Sequence, residues 1–409
     1  VSLASIAWDP LHPLIPVAAL LMAFATLSLL PRPTKLPTQP GRHDSIDGLR
    51  GYLAFFVYIH HAASWFFYLR EDRWMLPDSR LYTHLGQSSV ALFFMITGFL
   101  FCSKLIDSRR TRIDWLKLFV SRVLRILPLY LLLILLLLGC VAIVSRAELR
   151  EPLPDLVRNI AGWIFFTIPG MLDINGVKGT FIIVSGVTWS LVYEWFFYCS
   201  LPLLGLAFGV MPSMAAILAG GIGMAAIAWG AEAIPVSLTF LGGIAAAILA
   251  RSEAFRQLAK SRLSTLMAIA CLCALVQLFP TSQGKPQLLL LSLLFAIIAG
   301  GNSLFGLMTH RLARALGESA YSLYLLHGVL LFCVFTFIVG MPTARTLSPA
   351  AHWLIVLAMT PALVLFCLLT FKWIEQPAMR QSSRTTRWIR SLWSARVDAG
   401  LSDSTAPKA

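Results

Sequence analysis

Charge is scarce in this chain, and acid is scarcer than base. Of 409 residues only 13% are Asp, Glu, Lys or Arg, with 19 acidic against 33 basic and a formal net charge of +14. A chain that is 58% hydrophobic, with a mean hydropathy of +0.77, is not composed like a soluble domain. Many of its apolar runs approach the ~20 residues needed to cross a bilayer. In a soluble protein the excess base would raise nucleic acid as a partner. Here the basic residues fall in short loops, where orientation rules place them, so membrane lipid is expected as a partner and nucleic acid is not.

Other absences narrow the chemistry. The cysteines Cys102, Cys140, Cys199, Cys271, Cys273, Cys333 and Cys367 all lie in apolar stretches, with no CxxC pair and no His cluster beside them. Neither a disulfide framework nor a metal site is indicated. HExxH, Walker A and GxSxG motifs are missing, as is the His-x4-Asp of glycerolipid acyltransferases. His43-x-x-x-Asp47-Gly48 has the outline of the HxxxDG of soluble acyltransferases, but no soluble domain is present to hold it. No internal repeat is apparent.

What is present is a succession of apolar segments. They run at about 11–30, 47–69, 85–103, 119–145, 188–209, 213–230, 235–250, 264–280, 286–302, 319–340 and 350–373. The expected fold is an all-α polytopic membrane protein with about eleven spans. Residues 1–43 form an N-terminal anchor and basic linker, 44–378 a ten-span core, and 379–409 a basic tail. The first run lacks the preceding basic residues of a signal peptide. Basic residues concentrate in the 31–45 linker (Arg32, Lys35, Arg42), in 104–125, in 251–262, in 309–314 and after Lys372. With eleven spans these segments share one side, which puts the C-terminus in the cytoplasm. Segment 146–187 is the longest on the other side, and its apolar patch from Trp163 to Met171 is too short to span. In the tail, Trp388, Ile389, Leu392, Trp393 and Val397 recur at helical spacing among arginines, the pattern of a helix lying on an anionic lipid surface.

Ionisable residues inside spans are expensive and mark function. The second apolar run opens with Asp47-Gly-Leu-Arg50-Gly and reaches His60-His61. Eleven residues of helix advance about 1100°, so Arg50 and His61 share a face, roughly 16 Å apart, with Asp47 within about 40° of it. His60 points about 80° away. Arg122 and Arg125 share a face at the mouth of the fourth span, either as positive-inside anchors or as a clamp for a phosphorylated ligand, whose geometry suits Arg. Ser190, Glu194 and Tyr198 form a polar stripe, and Tyr324 and His327 sit three residues apart. Counted from the membrane faces, Glu194 is about 9 Å deep, His327 about 12 Å and His61 about 16 Å. Depth thus predicts one layer holding His61, Glu194 and His327 above a basic rim of Arg50, Arg122 and Arg125. A histidine there can take a proton from a hydroxyl and return it.

These residues resemble the acyltransferase-3 family of integral membrane O-acyltransferases. The matching pieces, in the family's order, are Ile46-Asp-Gly-Leu-Arg50-Gly with His61, Phe93-Phe-Met-Ile-Thr-Gly-Phe-Leu100, Arg122-x-x-Arg125-Ile-Leu-Pro, Trp189-Ser190-Leu with Glu194, and Tyr321-Ser-Leu-Tyr324-Leu-Leu-His327. The resemblance implies transfer of an acyl group, usually acetyl, from cytoplasmic acetyl-CoA or another acyl-CoA. The acceptor would be a hydroxyl of a surface polysaccharide or lipid-linked glycan, at a bacterial inner membrane and alongside polysaccharide-biosynthesis partners. It makes His61 the catalytic base and Arg122 and Arg125 donor-binding residues. The expected site is completed by Arg50 and Glu194 beside His61, Arg50 also on the donor, and Asp47, Ser190, Tyr324 and His327 against substrate. Glu194 is expected to orient or charge-balance the imidazole. The terminal anchor is additional to the family core, and the esterase-like domain that some members carry is missing from this sequence. The alternative from another class is a proton-coupled transporter or flippase of a glycan or acyl donor.

Overall fold

The computed structural model describes residues 9–30, 43–108, 113–230 and 237–404. The basic linker residues Arg32, Lys35 and Arg42, and Arg109, Arg110 and Arg112, lie outside the described residues. The chain is helical throughout these segments. Its elements are α1 (Leu14–Leu29), α2 (Asp44–Glu71), α3 (Arg80–Asp107), α4 (Trp115–Val144), α5 (Leu153–Ile164), α6 (Thr180–Ile183), α7 (Trp189–Ala207), α8 (Met214–Gly230) and α9 (Thr239–Leu249). They continue as α10 (Glu253–Ala259), α11 (Arg262–Leu278), α12 (Lys285–Ala299), α13 (Arg311–Glu318), α14 (Ala320–Cys333), α15 (Met341–Arg345), α16 (Pro349–Thr370), α17 (Gln376–Arg380) and α18 (Ser382–Ser404). Single π turns, Val334–Ile338 and Phe371–Glu375, continue α14 and α16.

Every apolar run read from the sequence contains a helix, but the count of eleven spans is larger than length and apolarity support. Among the described residues five helices are long and apolar enough to cross a membrane, or six if the bent pair α10–α11, broken by 68°, is one span. Four apolar helices are shorter, including α1, α9 and α12. A lone span needs the full hydrocarbon thickness, whereas a short helix packed among others does not. The long helices and their apolar surfaces make this an integral membrane protein.

α2 is the central helix. At 28 residues it is about 42 Å long, yet Arg50, His60 and His61 keep it out of the most apolar group. It lies against α1, α3, α12, α13, α14, α15 and α16, and Trp65, Tyr58, Phe55 and Ile59 on it are fully buried. Two glycines set its position. A Cβ at Gly48 would stand 1.9 Å from the Met308 carbonyl oxygen, and one at Gly317 of α13 would stand 1.9 Å from that of Asp47. Backbone therefore meets backbone here, and only glycine permits it. Ser45 Oγ donates to the Ile298 carbonyl at 3.1 Å and Tyr52 Oη to the Leu307 carbonyl at 3.2 Å, fixing the start of the helix further.

The segment between α4 and α7 is folded rather than loose. Asn175 and Glu151 tie it together: the Asn175 N–H donates to Glu151 at 2.7 Å and its side-chain amide donates to the Glu148 carbonyl at 2.7 Å. The Trp163–Met171 patch turns inward. Trp163 is fully buried, its indole N–H donating to the Leu172 carbonyl at 2.7 Å, and Phe166 stacks on Tyr130 with ring centroids 4.5 Å apart. At the other end, α18 lies along α4, with Arg390 paired to Asp114 at 2.7 Å and Trp388, Leu392 and Trp393 exposed. The side chain of Val397 lies outside the described residues.

The glycine contact gives a direct test of this packing. Gly48→Val has no room and is expected to destabilise the detergent-solubilised protein by about 1–3 kcal/mol. Gly139→Ala, whose added Cβ meets nothing within 4 Å, should be neutral or stabilising by up to ~1 kcal/mol. Thermal melts of the two variants beside wild type decide it; equal melting temperatures would remove the close-contact account of α2.

Candidate active site

His61 lies on α2 and His327 on α14. His61 Nδ1 is 2.8 Å from His327 Nε2, and the rings are nearly parallel, 19° apart. His327 is fully buried, and its Nδ1 lies 2.9 Å from the Leu323 carbonyl oxygen. A carbonyl only accepts, so this contact puts the His327 proton on Nδ1 and leaves its Nε2 as an acceptor. His61 must then donate through Nδ1. The remaining nitrogen, His61 Nε2, carries the free lone pair. The Leu323 carbonyl thus sets the tautomer of His327 and, through it, the donor nitrogen of His61, which also contacts the Val57 carbonyl. His61 is partly exposed as a residue.

His60 is a packing residue. Its Nδ1 meets the Tyr82 carbonyl at 2.8 Å, and its ring fills the space that a Cβ on Gly86 would occupy. The 80° difference in direction read from the helix is what separates the two neighbouring histidines.

The arginines line a separate cavity of about 280 Å³ between α2, α3, α4, α7 and α14. Arg50, Arg122 and Arg125 share it with Glu194, Ser190 and Tyr324. Arg122 lies over the Phe101 ring, 5.2 Å from its centroid, and its Nε is buried with no hydrogen-bond partner. Glu194 accepts a short hydrogen bond from Tyr198, one turn further along α7. The Ser190 and Tyr324 hydroxyls are 2.8 Å apart, and both reach the Val187 carbonyl. Tyr324 also borders the histidines, its ring centroid 6.4 Å from that of His327. One aromatic side chain thus stands between the arginine cavity and the imidazole pair.

The expected residues therefore fall into two groups rather than one layer. His61 and His327 pair with each other, as depth predicted. Glu194 does not join them; it lines the arginine cavity and holds Tyr198. The reason is where α7 begins. Segment 180–188 dips into the protein, with Thr180, Val184 and Thr188 fully buried and Val184 backed directly onto Gly328, the neighbour of His327. The chain leading into α7 is thus buried, although Trp189 itself is exposed, and Glu194 stands with Arg122 and Tyr198 around the cavity instead of at the histidines. Asp47 occupies the first turn of α2 with its carbonyl against Gly317 and is not among the cavity-lining residues. His327, expected against substrate, lies 2.8 Å from His61.

Two contributors were not singled out from the sequence. Glu375 is 1% exposed and sits in the π turn after α16, where it accepts a short hydrogen bond from Ser322; Thr370 Oγ1 donates to Ser322 at 3.1 Å. Its signal was present, because it is one of only 19 acidic residues and follows an apolar run directly. Trp74 lies beyond the C-terminal end of α2 and stacks beside His61, with centroids 6.1 Å apart and planes 22° apart. No motif marks it.

No curated protein and no solved structure matches the chain. A family model described as an acyltransferase domain matches residues 43–372, a range that takes in both histidines, all three arginines, Glu194 and Tyr324, and on that match the chain belongs to the acyltransferase-3 family.

Proposed function

We propose that the protein is a membrane O-acetyltransferase that moves the acyl group of acyl-CoA, with acetyl-CoA as donor, to a hydroxyl of a surface polysaccharide or its lipid-linked precursor. The observation that carries the reading is the hydrogen-bond chain from the Leu323 carbonyl through His327 to His61, which leaves His61 Nε2 as the basic nitrogen, with Tyr324 linking the histidines to the arginine-lined cavity. The cavity, near the lower end of small-ligand sites, suits an acyl thioester and the end of its arm. The guanidinium groups suit the donor's phosphates, Arg being matched to that geometry. The unpartnered Nε of Arg122 supports an anionic ligand there. The basic ends of the helices favour a cytoplasmic donor side and a cytoplasmic C-terminus in a bacterial inner membrane.

The acceptor hydroxyl gives its proton to His61 Nε2 as its oxygen attacks the thioester carbonyl. The C–S bond breaks, and the leaving thiolate takes the proton back from His61. His327 holds the imidazole and disperses the charge it carries in between, a general acid–base role. Tyr324, between donor cavity and histidines, is placed to contact the thioester as it enters. Glu194 acts on the donor side, through Tyr198 and among the arginines, rather than on the imidazole.

His61→Ala should lower transfer of labelled acetyl to the host's polysaccharide fraction by about 10²–10⁴-fold while leaving acetyl-CoA binding intact. His60→Ala should keep transfer provided it folds, and full activity in the His61 variant would remove the base from the mechanism. Arg122→Ala and Arg125→Ala should each raise the KM for acetyl-CoA by about 10–100-fold, as expected for the loss of a charged hydrogen bond. Dephospho-CoA thioesters should narrow that difference if the arginines read phosphate. An unchanged donor KM in both variants would move the donor elsewhere.

A further inference from the structure

Trp74 is held as a built feature. The loop 72–79 that carries it is fixed at both ends. Asp72 closes α2 with its N–H on the Tyr68 carbonyl at 2.9 Å. Pro77 is buried, and its carbonyl accepts at 2.7 Å from the N–H of Ser79, the serine that caps α3. The indole is half-buried and sits among Trp65, Tyr68 and Phe181, all edge-on, with centroids 5.9, 5.8 and 6.5 Å away. Only His61 lies nearly parallel to it, at 22°. A centroid distance of 6.1 Å at that angle is a lateral offset rather than a face-on stack. Indole and imidazole thus form two neighbouring tiles of one surface.

This surface is at the far end of the site from the arginines. Arg50 is in the second turn of α2, His61 lies about 16 Å further along it, and Trp74 comes in from beyond its last residue. A donor entering past Arg50, Arg122 and Arg125 meets Tyr324 first. A second reactant must reach His61 from the other end, where Trp74 is the side chain beside it. An aromatic face is apolar with a negative quadrupole. It complements the slightly positive C–H face of a sugar ring and leaves the ring's hydroxyls free at the edge.

We propose that Trp74 is the acceptor-positioning residue: a sugar ring of the acceptor glycan rests on its indole, presenting one hydroxyl to His61 Nε2. The inference rests on the acyltransferase reading above and names the acceptor side of the same site. The edge-on contacts of Trp65, Tyr68 and Phe181 fix the indole plane, and so fix which hydroxyl points at the base.

The test separates glycan binding from chemistry. Wild type, His61→Ala, Trp74→Ala and Trp74→Phe are prepared in lipid nanodiscs. Calorimetry measures binding of depolymerised surface polysaccharide from the host, and separately of acetyl-CoA; melting temperatures are recorded for each. Trp74→Ala is expected to weaken glycan binding about tenfold with acetyl-CoA binding unchanged. Trp74→Phe should recover most of it, and His61→Ala should weaken glycan binding less than Trp74→Ala. In turnover, Trp74→Ala should raise the acceptor KM and leave the donor KM alone. Glycan binding by Trp74→Ala equal to wild type, no glycan binding by wild type, or parallel loss of both ligands with a lowered melting temperature would each overturn the assignment. Trp74-dependent glycan binding without any acetyl transfer would instead overturn the transferase reading and leave the sugar platform standing.

Discussion

A helix that carries an arginine and two histidines at bilayer depth cannot face lipid, and the architecture follows from that constraint. Each ionisable group needs a partner or a wet cavity, because hydrocarbon supplies neither. α2 meets the requirement by lying inside the bundle, against seven other helices. The glycines of its first turns let α13 seat backbone to backbone, which fills the space around Arg50 without side chains. Further along, His60 packs into the gap left by Gly86, and His61 finds His327. The polar residues did not settle in an existing core; the core is arranged so that each has somewhere to go.

The site has two chambers with different chemistry. One is cationic, with three guanidinium groups around about 280 Å³. The other is the His61–His327 pair with Trp74 beside it. Tyr324 separates them, and its hydroxyl is occupied by Ser190 and Val187. That separation suits two reactants of unlike character, one anionic and one neutral, meeting at a single carbonyl carbon.

Much of this was legible in the sequence because helical phase is rigid. The divergence of His60 from His61 and the common face of Arg122 and Arg125 follow from 100° per residue, while Arg50 was grouped with the other arginines by its depth. Depth was less legible. It placed His61 and His327 together, because α2 and α14 both run in from the same end of the bundle. It grouped Glu194 with the histidines, whereas Glu194 lines the arginine cavity; the buried approach of Val184 and Thr188 to α7 is not announced by anything in an apolar segment. Glu375 escaped for a related reason. A π turn inserts a residue, so the carboxylate faces inward where a regular helix would not put it. Trp74 lies on a loop with no periodicity to read.

The pairing of His61 with His327 has an electrical consequence. On the proposed mechanism, the proton that His61 removes from the acceptor ends on the donor's sulfur, while an acylium equivalent travels the opposite way to the oxygen. One positive charge moves in each direction between the same two atoms. The reaction is therefore an electroneutral exchange, although its two substrates sit at opposite ends of α2. A carboxylate in place of His327 would hold a fixed negative charge in the field. Under the mechanism above, the transmembrane potential, worth about 2.3 kcal/mol per charge per 100 mV, neither drives nor opposes the net transfer. Such an enzyme runs equally well in an energised and a de-energised membrane, and its only fuel is the thioester.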